Sequence, residues 1–167
     1  MLHQNGFHKA NIKIFYANGQ KKNAGSDFSH AVYPSSMKLG FRYHLRSVCA
    51  APLCADSLVV YLTGPAMSDG TIMLWDEDKD GLLRSGEVYT PRELAKDLEN
   101  CAARQVTLLV DGSYSAEVIK PFKKSKKHKN VQVFTSGDSE DYSWRTEFAS
   151  HWTHYSHMHS CTTQVYQ

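Results

Sequence analysis

An excess of charge of one sign is the first thing this chain lacks. Its 19 Lys and Arg nearly balance 17 Asp and Glu, a net charge of +2, too small to imply a nucleic acid or an anionic membrane surface as partner. It has no run of about eighteen apolar residues, so no segment is expected to span a bilayer. The opening MLHQNGFHKA lacks the apolar core of a signal peptide, and there is no Asn-x-Ser/Thr sequon; no export signal is expected in the chain as given. Cysteine is scarce, with Cys49, Cys54, Cys101 and Cys161. The spacing from Cys49 to Cys54 either closes a small disulfide loop in an oxidising compartment or leaves two ordinary thiols near a helix end. The compartment stays open. No internal repeat is visible.

What is present suffices for a core. At 167 residues, 41% of them apolar, the chain is expected to form one domain, spanning 1–152, with a His-rich, disordered tail over 153–167. Asn11–Ala17 reads as a strand and Asn18–Ser36 as a long loop rich in Gly, Asn, Lys and Ser. Met37, Phe41, Leu45 and Val48 have helical spacing, with Ser35 or Ser36 placed as cap. Ser57–Thr63 and Thr71–Trp75 are short apolar runs read as strands. Thr90-Pro91-Arg92-Glu93 is a helix start with Pro in the first turn and Glu three residues after the capping Thr. Leu94, Leu98, Cys101 and Ala102 form one apolar face behind it. A short helix around Ala116–Phe122 and a last strand, Val131–Ser136, complete the reading. Strands alternating with helices predict an α/β fold with a mainly parallel sheet flanked by helices.

The chain is organised around Gln105–Glu117, QVTLLVDGSYSAE. A buried-strand run ends in Asp111 and enters a small-residue turn carrying Ser113. In open α/β sheets, ligands and catalytic groups gather past the carboxyl ends of such strands. Ser113 therefore stands where a nucleophile would. A second strand end, Val59–Ala66 (VVYLTGPA), belongs with it.

This pairing of strand ends resembles the caspase-like cysteine peptidases, the group of caspases, metacaspases and legumain. The resemblance extends over roughly 2–152. Leu2–Tyr16 looks like the family's first-helix end, Asn-Gly turn and second strand. Asp56–Thr63 resembles the approach to its His-Gly turn, and Val131–Trp152 the segment after its nucleophile. The resemblance implies a His–Cys dyad, in which an imidazole serves a thiolate as base and acid. Here the family His falls on Pro65, its Gly on Ala66, its Cys on Ser113 and its closing Gly on Ala116. Proline cannot carry a proton, and a serine hydroxyl is a poor nucleophile without an adjacent base. The expectation is therefore a catalytically inactive domain that binds a protein or peptide, with dimerisation through a sheet edge by analogy. The alternative is a peptidase that uses Ser113 with a displaced base, from His30, His44 or His151. Asp111 and Asp56 read as turn formers. The family's first, central strand has no counterpart, so the sheet is expected to lack it.

Asp76–Glu87 (DEDKDGLLRSGE) fits the twelve-residue calcium loop of EF-hands. Asp76, Asp78 and Asp80 take positions one, three and five, Gly81 the sharp turn, Leu82 the carbonyl position, and Glu87 the bidentate position. Arg84 takes a ligand position, and the entering TIMLW reads as a strand. The loop is thus either a weak Ca²⁺ site or an acidic, solvated hairpin. Lys120–Lys129 (KPFKKSKKHK) reads as a solvated loop rather than an anion-binding patch, and the caspase-like resemblance implies that it is protease-sensitive. His151, His154, His157, His159 and Cys161 could chelate zinc or nickel loosely; a frayed tail would not fix them in tetrahedral geometry.

Overall fold

The computed structural model describes residues 7–21, 32–51, 56–123, 125–140, 148–149 and 151–152. The first-helix end and Asn-Gly turn of the Leu2–Tyr16 stretch, Cys54, His30, Cys161 and the tail from 153 lie outside them. The centre of the fold is strand β6, Gln105–Asp111, buried at every position after Gln105. It is buried throughout because it has a parallel neighbour on each side: β3 (Ser57–Thr63), with Thr63 opposite Asp111, and β7 (Val131–Thr135). The sheet order is β3-β6-β7. Residues buried on both faces of a parallel sheet read as a continuous apolar run, as VTLLV does.

Two helices cover one face. Helix α1, Lys38–Cys49, turns Leu45 and Cys49 inward, and α2, Pro91–Asp97, contributes Leu94, with Leu98 just past its end. These side chains meet Val60, Val106, Leu108 and Val110. Burying each large aliphatic side chain contributes about 1.5–3 kcal/mol. On the other face Phe134, beside Leu109 in register, packs on Trp152 with ring centroids 5.1 Å apart. The α2 start is the expected capping box: Thr90 accepts from the Glu93 amide and the Glu93 carboxylate accepts from the Thr90 amide.

The other elements are smaller than their sequence runs suggested. Asn11–Ala17 supplies only β1, Ile14–Phe15, after a 3-10 turn at Lys9–Asn11. It pairs in parallel with β2, Val32–Tyr33, which lies inside the stretch read as a loop. Thr71–Trp75 supplies only β4, Ile72–Met73, antiparallel to β5, Val88–Tyr89. The helix expected around Ala116–Phe122 is a 3-10 turn, Ser115–Ile119. Neither Ser35 nor Ser36 caps α1, whose cap position is Met37. Ser35 Oγ instead donates to Ala17 C=O and accepts from the Trp75 amide, a cross-chain role that local spacing does not encode. Ala102 is exposed, because the chain leaves helical geometry after Asp97.

The cysteine pairing also needs correction. Cys49 is bonded to Cys101, not to Cys54. Both lie in the core between the helices and the sheet, where burial brings together residues 52 positions apart.

Candidate functional site

The turns after β3 and β6 lie side by side, because parallel pairing runs to the last residue of each strand. An ideal Cβ on Gly112 would lie 2.8 Å from the Gly64 carbonyl oxygen, so only glycine allows this approach. A third turn closes over them. Gly70 has φ +78°, and a Cβ there would come within 2.8 Å of the Glu117 side chain. The crevice left between Gly64, Ala66, Gly70, Asp111, Gly112 and Ser113 has a volume of about 10 Å³. That is room for one water at most.

Ser113 is half-buried on this crevice. Tyr114 follows it in the left-handed region, φ 54°, which costs a residue with a side chain roughly 1–2 kcal/mol. The five-residue 3-10 turn behind it presents little of the aligned dipole that an α-helix would offer. Ser115, only 1% exposed, is fully used: its hydroxyl donates to Gly137 C=O and accepts from the Gly137 amide at 2.9 Å. The Ser136 hydroxyl accepts from the Gly112 amide. These bonds tie the Ser113 turn to the end of β7.

Pro65 is exposed and its carbonyl accepts from the Met73 amide. It anchors β4 and has no proton to move. Asp111 is buried and accepts from the Tyr61 hydroxyl at 3.0 Å. Desolvation first, and then the Asp111 charge, push the Tyr61 phenol up to about 12. Asp111 is thus occupied across the sheet, in keeping with a structural role.

Among the described residues, no histidine lines the crevice. His44 packs on α1 against Phe15, Tyr33 and Tyr43, in the aromatic cluster over β1 and β2. His151 is helical and exposed, next to Trp152. His128, in the lysine-rich loop, approaches Ala95 C=O with Nε2 at 2.7 Å and Ser125 Oγ with Nδ1 at 2.8 Å. A carbonyl only accepts, so Nε2 carries the proton. This imidazole pins the loop to α2. Lys127 and Lys120 in the same run pair with Glu99 and Glu117.

In the acidic loop, ligand oxygens of Asp76, Asp78 and Asp80 lie within 4.8 Å of one another, so this cluster could take a metal ion. The loop is held by its own carboxylates. Asp76 accepts from the Lys79 and Gly81 amides, Asp78 from Asp80 and Asp80 from Leu82. The Gly81 amide is the main reason that Asp76 stays below the ordinary carboxylate range. The Glu87 carboxylate stands apart from the three aspartates and accepts from the Arg84 amide at 3.0 Å. The Arg84 guanidinium pairs with Asp78 and Asp80, the charge a cation would otherwise neutralise.

A buried charge network escaped the sequence reading. The Asp97 carboxylate, with no side-chain exposure, is bound by Arg42, Arg46 and the Tyr89 hydroxyl. Glu93 takes Lys38 at 2.7 Å, and Lys38 also donates to Ser85 C=O within the acidic loop. Burial works against the Asp97 charge, but the bonds from Arg42, Tyr89 and Arg46 outweigh it and hold the carboxyl below its ordinary value. Burial and the Asp97 charge together push the Tyr89 phenol upward. The available signal was the matched four-residue spacing, Arg42 and Arg46 on one helix facing Glu93 and Asp97 on the other.

Compared with known proteins, the chain matches no family model and no curated sequence.

Proposed function

We propose that this chain is a caspase-like domain without a catalytic dyad, and that it works by binding another protein. The observation that carries the reading is the Gly64-Pro65-Ala66 turn beside Ser113, which supplies no group able to exchange a proton. The crevice of about 10 Å³ supports it, being too small for a peptide side chain. A nucleophilic hydroxyl needs a base within hydrogen-bond reach, and His44 is engaged with the aromatic cluster. The test is cleavage of a mixed fluorogenic peptide library by the purified chain and by Ser113→Ala. No cleavage by either is the expected result. Cleavage that disappears in Ser113→Ala would instead establish the peptidase reading, with Ser113 as nucleophile and a displaced His as base.

A second reading is favoured by the clustering of Asp76, Asp78 and Asp80. On that reading the domain is calcium-responsive. Binding Ca²⁺ would require Arg84 to release Asp78 and Asp80, and Glu87 to turn from the Arg84 amide. Affinity would be weak accordingly.

A further inference from the structure

The lysine-rich stretch carries a hydroxyl, Ser125, in the setting Lys123-Lys124-Ser125-Lys126-Lys127. No other serine or threonine of the chain has two basic residues on each side. The stretch is tied down by its backbone. The Ser125 amide donates to Phe122 C=O, the Asn100 amide to Lys127 C=O and the Val131 amide to His128 C=O. Ser125 is half-buried, unlike the sealed Ser115, and its Oγ accepts from the Lys127 amide at 3.3 Å and lies 2.8 Å from His128 Nδ1. His128 Nε2 faces Ala95 C=O at 2.7 Å and carries the proton. Nδ1 of the neutral ring therefore accepts, and the Ser125 hydroxyl donates to it. That one proton belongs to the clasp that holds the loop on α2.

We propose that Ser125 is a phosphorylation site for a basic-directed serine kinase, and that the phosphate tightens the loop on α2 through His128. Such kinases choose substrates by charge pattern, setting acidic pockets against the basic residues that flank the acceptor. The loop offers that pattern in accessible form. Lys123, Lys126 and Lys129 are exposed and, among the described residues, make no ion pair, whereas Lys120 and Lys127 answer Glu117 and Glu99. The transfer forms the Oγ–P bond and breaks the bond between the γ-phosphorus of ATP and its bridging oxygen. ADP leaves, and the hydroxyl proton passes to the catalytic aspartate of the kinase.

The product cannot keep the old clasp, because the ester oxygen has no proton to donate. The ring answers by taking a proton at Nδ1 and giving it to a phosphate oxygen, while Nε2 keeps its bond to Ala95 C=O. A neutral bond is thus exchanged for a charge-assisted one, roughly twice as strong. The phosphate brings a charge of about −1.5 to −2 at neutral pH, which orders a loop when cations surround it. Here the cations are His128 and the flanking lysines. Ala95 lies in the last turn of α2, where a positive ring is also favoured by the helix dipole. The acid on this side of the loop, Glu99, is already paired with Lys127. Phe122 packs edge-on against the His128 ring, with centroids 4.9 Å apart, and keeps it in place in either state.

The test is phosphorylation of the full chain with ATP by the catalytic domain of a protein kinase C, whose substrates carry basic residues on both sides of the acceptor. Wild type is compared with Ser125→Ala, with Lys123→Ala plus Lys126→Ala, and with His128→Ala. Intact mass reports the stoichiometry, peptide fragmentation the site, and far-UV circular dichroism melts the folding of each variant. The expected result is one phosphate on the wild type, at Ser125, and none on Ser125→Ala. The rate should fall about tenfold in the double lysine variant. His128→Ala frees the hydroxyl and should take phosphate at least as fast as wild type. Phosphorylated wild type should then melt above the unmodified chain, and this gain should largely vanish in His128→Ala. A Ser125 that stays unmodified, phosphate carried by other hydroxyls instead, or a rate indifferent to the lysines overturns the site. A melt that does not rise on phosphorylation, or rises equally in His128→Ala, overturns the role of the imidazole.

Discussion

Gly112 stands directly against the carbonyl of Gly64, at a distance where a Cβ would fall 2.8 Å from that oxygen. This contact brings together the ends of β3 and β6, and with them the positions that carry Pro65 and Ser113. Gly112→Ala must push one turn away from the other. A cost of about 1–3 kcal/mol is expected, read as a lower urea midpoint at unchanged slope. An unchanged midpoint would mean that the two turns do not approach this closely.

The Asp97 network predicts an acid-sensitive interface between α1 and α2. The folded Asp97 pKa is depressed, so the fold favours the charged carboxylate. Its contribution is complete above the ordinary carboxylate value and is lost as pH falls through the lower, folded value. Glu93 is lowered too, with burial opposing and Lys38 leading the bonds that overcome it, and adds to the same acid limb. Asp97→Asn should cost about 3 kcal/mol at neutral pH, since it leaves a buried pair broken, and should flatten stability against pH below about 4. The check is the urea midpoint between neutral and acidic pH in both proteins. An acid limb of equal steepness in the variant would place its origin elsewhere.

Reduction should destabilise the fold. The Cys49–Cys101 bond spans 52 residues, for which the chain-entropy argument gives about 4 kcal/mol as an upper figure. Cys49→Ser with Cys101→Ser should melt well below the oxidised wild type and close to the wild type in reductant. If reductant leaves the wild-type melt unmoved, the two thiols are not bonded.

Calcium should raise the melting temperature if the acidic loop binds it. At roughly 100 times its dissociation constant, a ligand adds about 2.7 kcal/mol. Asp76→Ala with Glu87→Ala should abolish the shift, and Arg84→Ala should enlarge it by freeing Asp78 and Asp80 from their ion pairs. A shift of equal size in the double variant would move the site elsewhere, and no shift in the wild type would leave a self-paired hairpin.

Leu98 is completely buried between α2 and the sheet. Leu98→Ala should cost about 2–5 kcal/mol through lost transfer energy and the cavity left behind. Thermal or urea unfolding measures it, and a loss under about 1 kcal/mol would show that the site collapses to fill the space.

How legible each part was depended on how local its cause is. The β6 run, the Thr90–Glu93 capping box and the β3 run could be read directly, because strand burial and capping act through residues adjacent in the chain. Short apolar runs such as TIMLW misled for the opposite reason: a run becomes a long strand only where a neighbour pairs along its length, and β4 meets β5 over two residues and Ala66 at a single bridge. Ser35 shows the same limit, since its partners at Ala17 and Trp75 are distant in sequence.

The sequence by itself determined an α/β chain with a parallel core strand ending in Asp111, a proline in the turn after β3, and three aspartates spaced for one cluster. These are matters of residue type and periodicity. Only the tertiary structure decided that Cys49 meets Cys101 and that Asp97 is buried under two arginines. Each depends on which separate elements pack within a few ångströms of each other, and residue spacing within one element does not fix that choice.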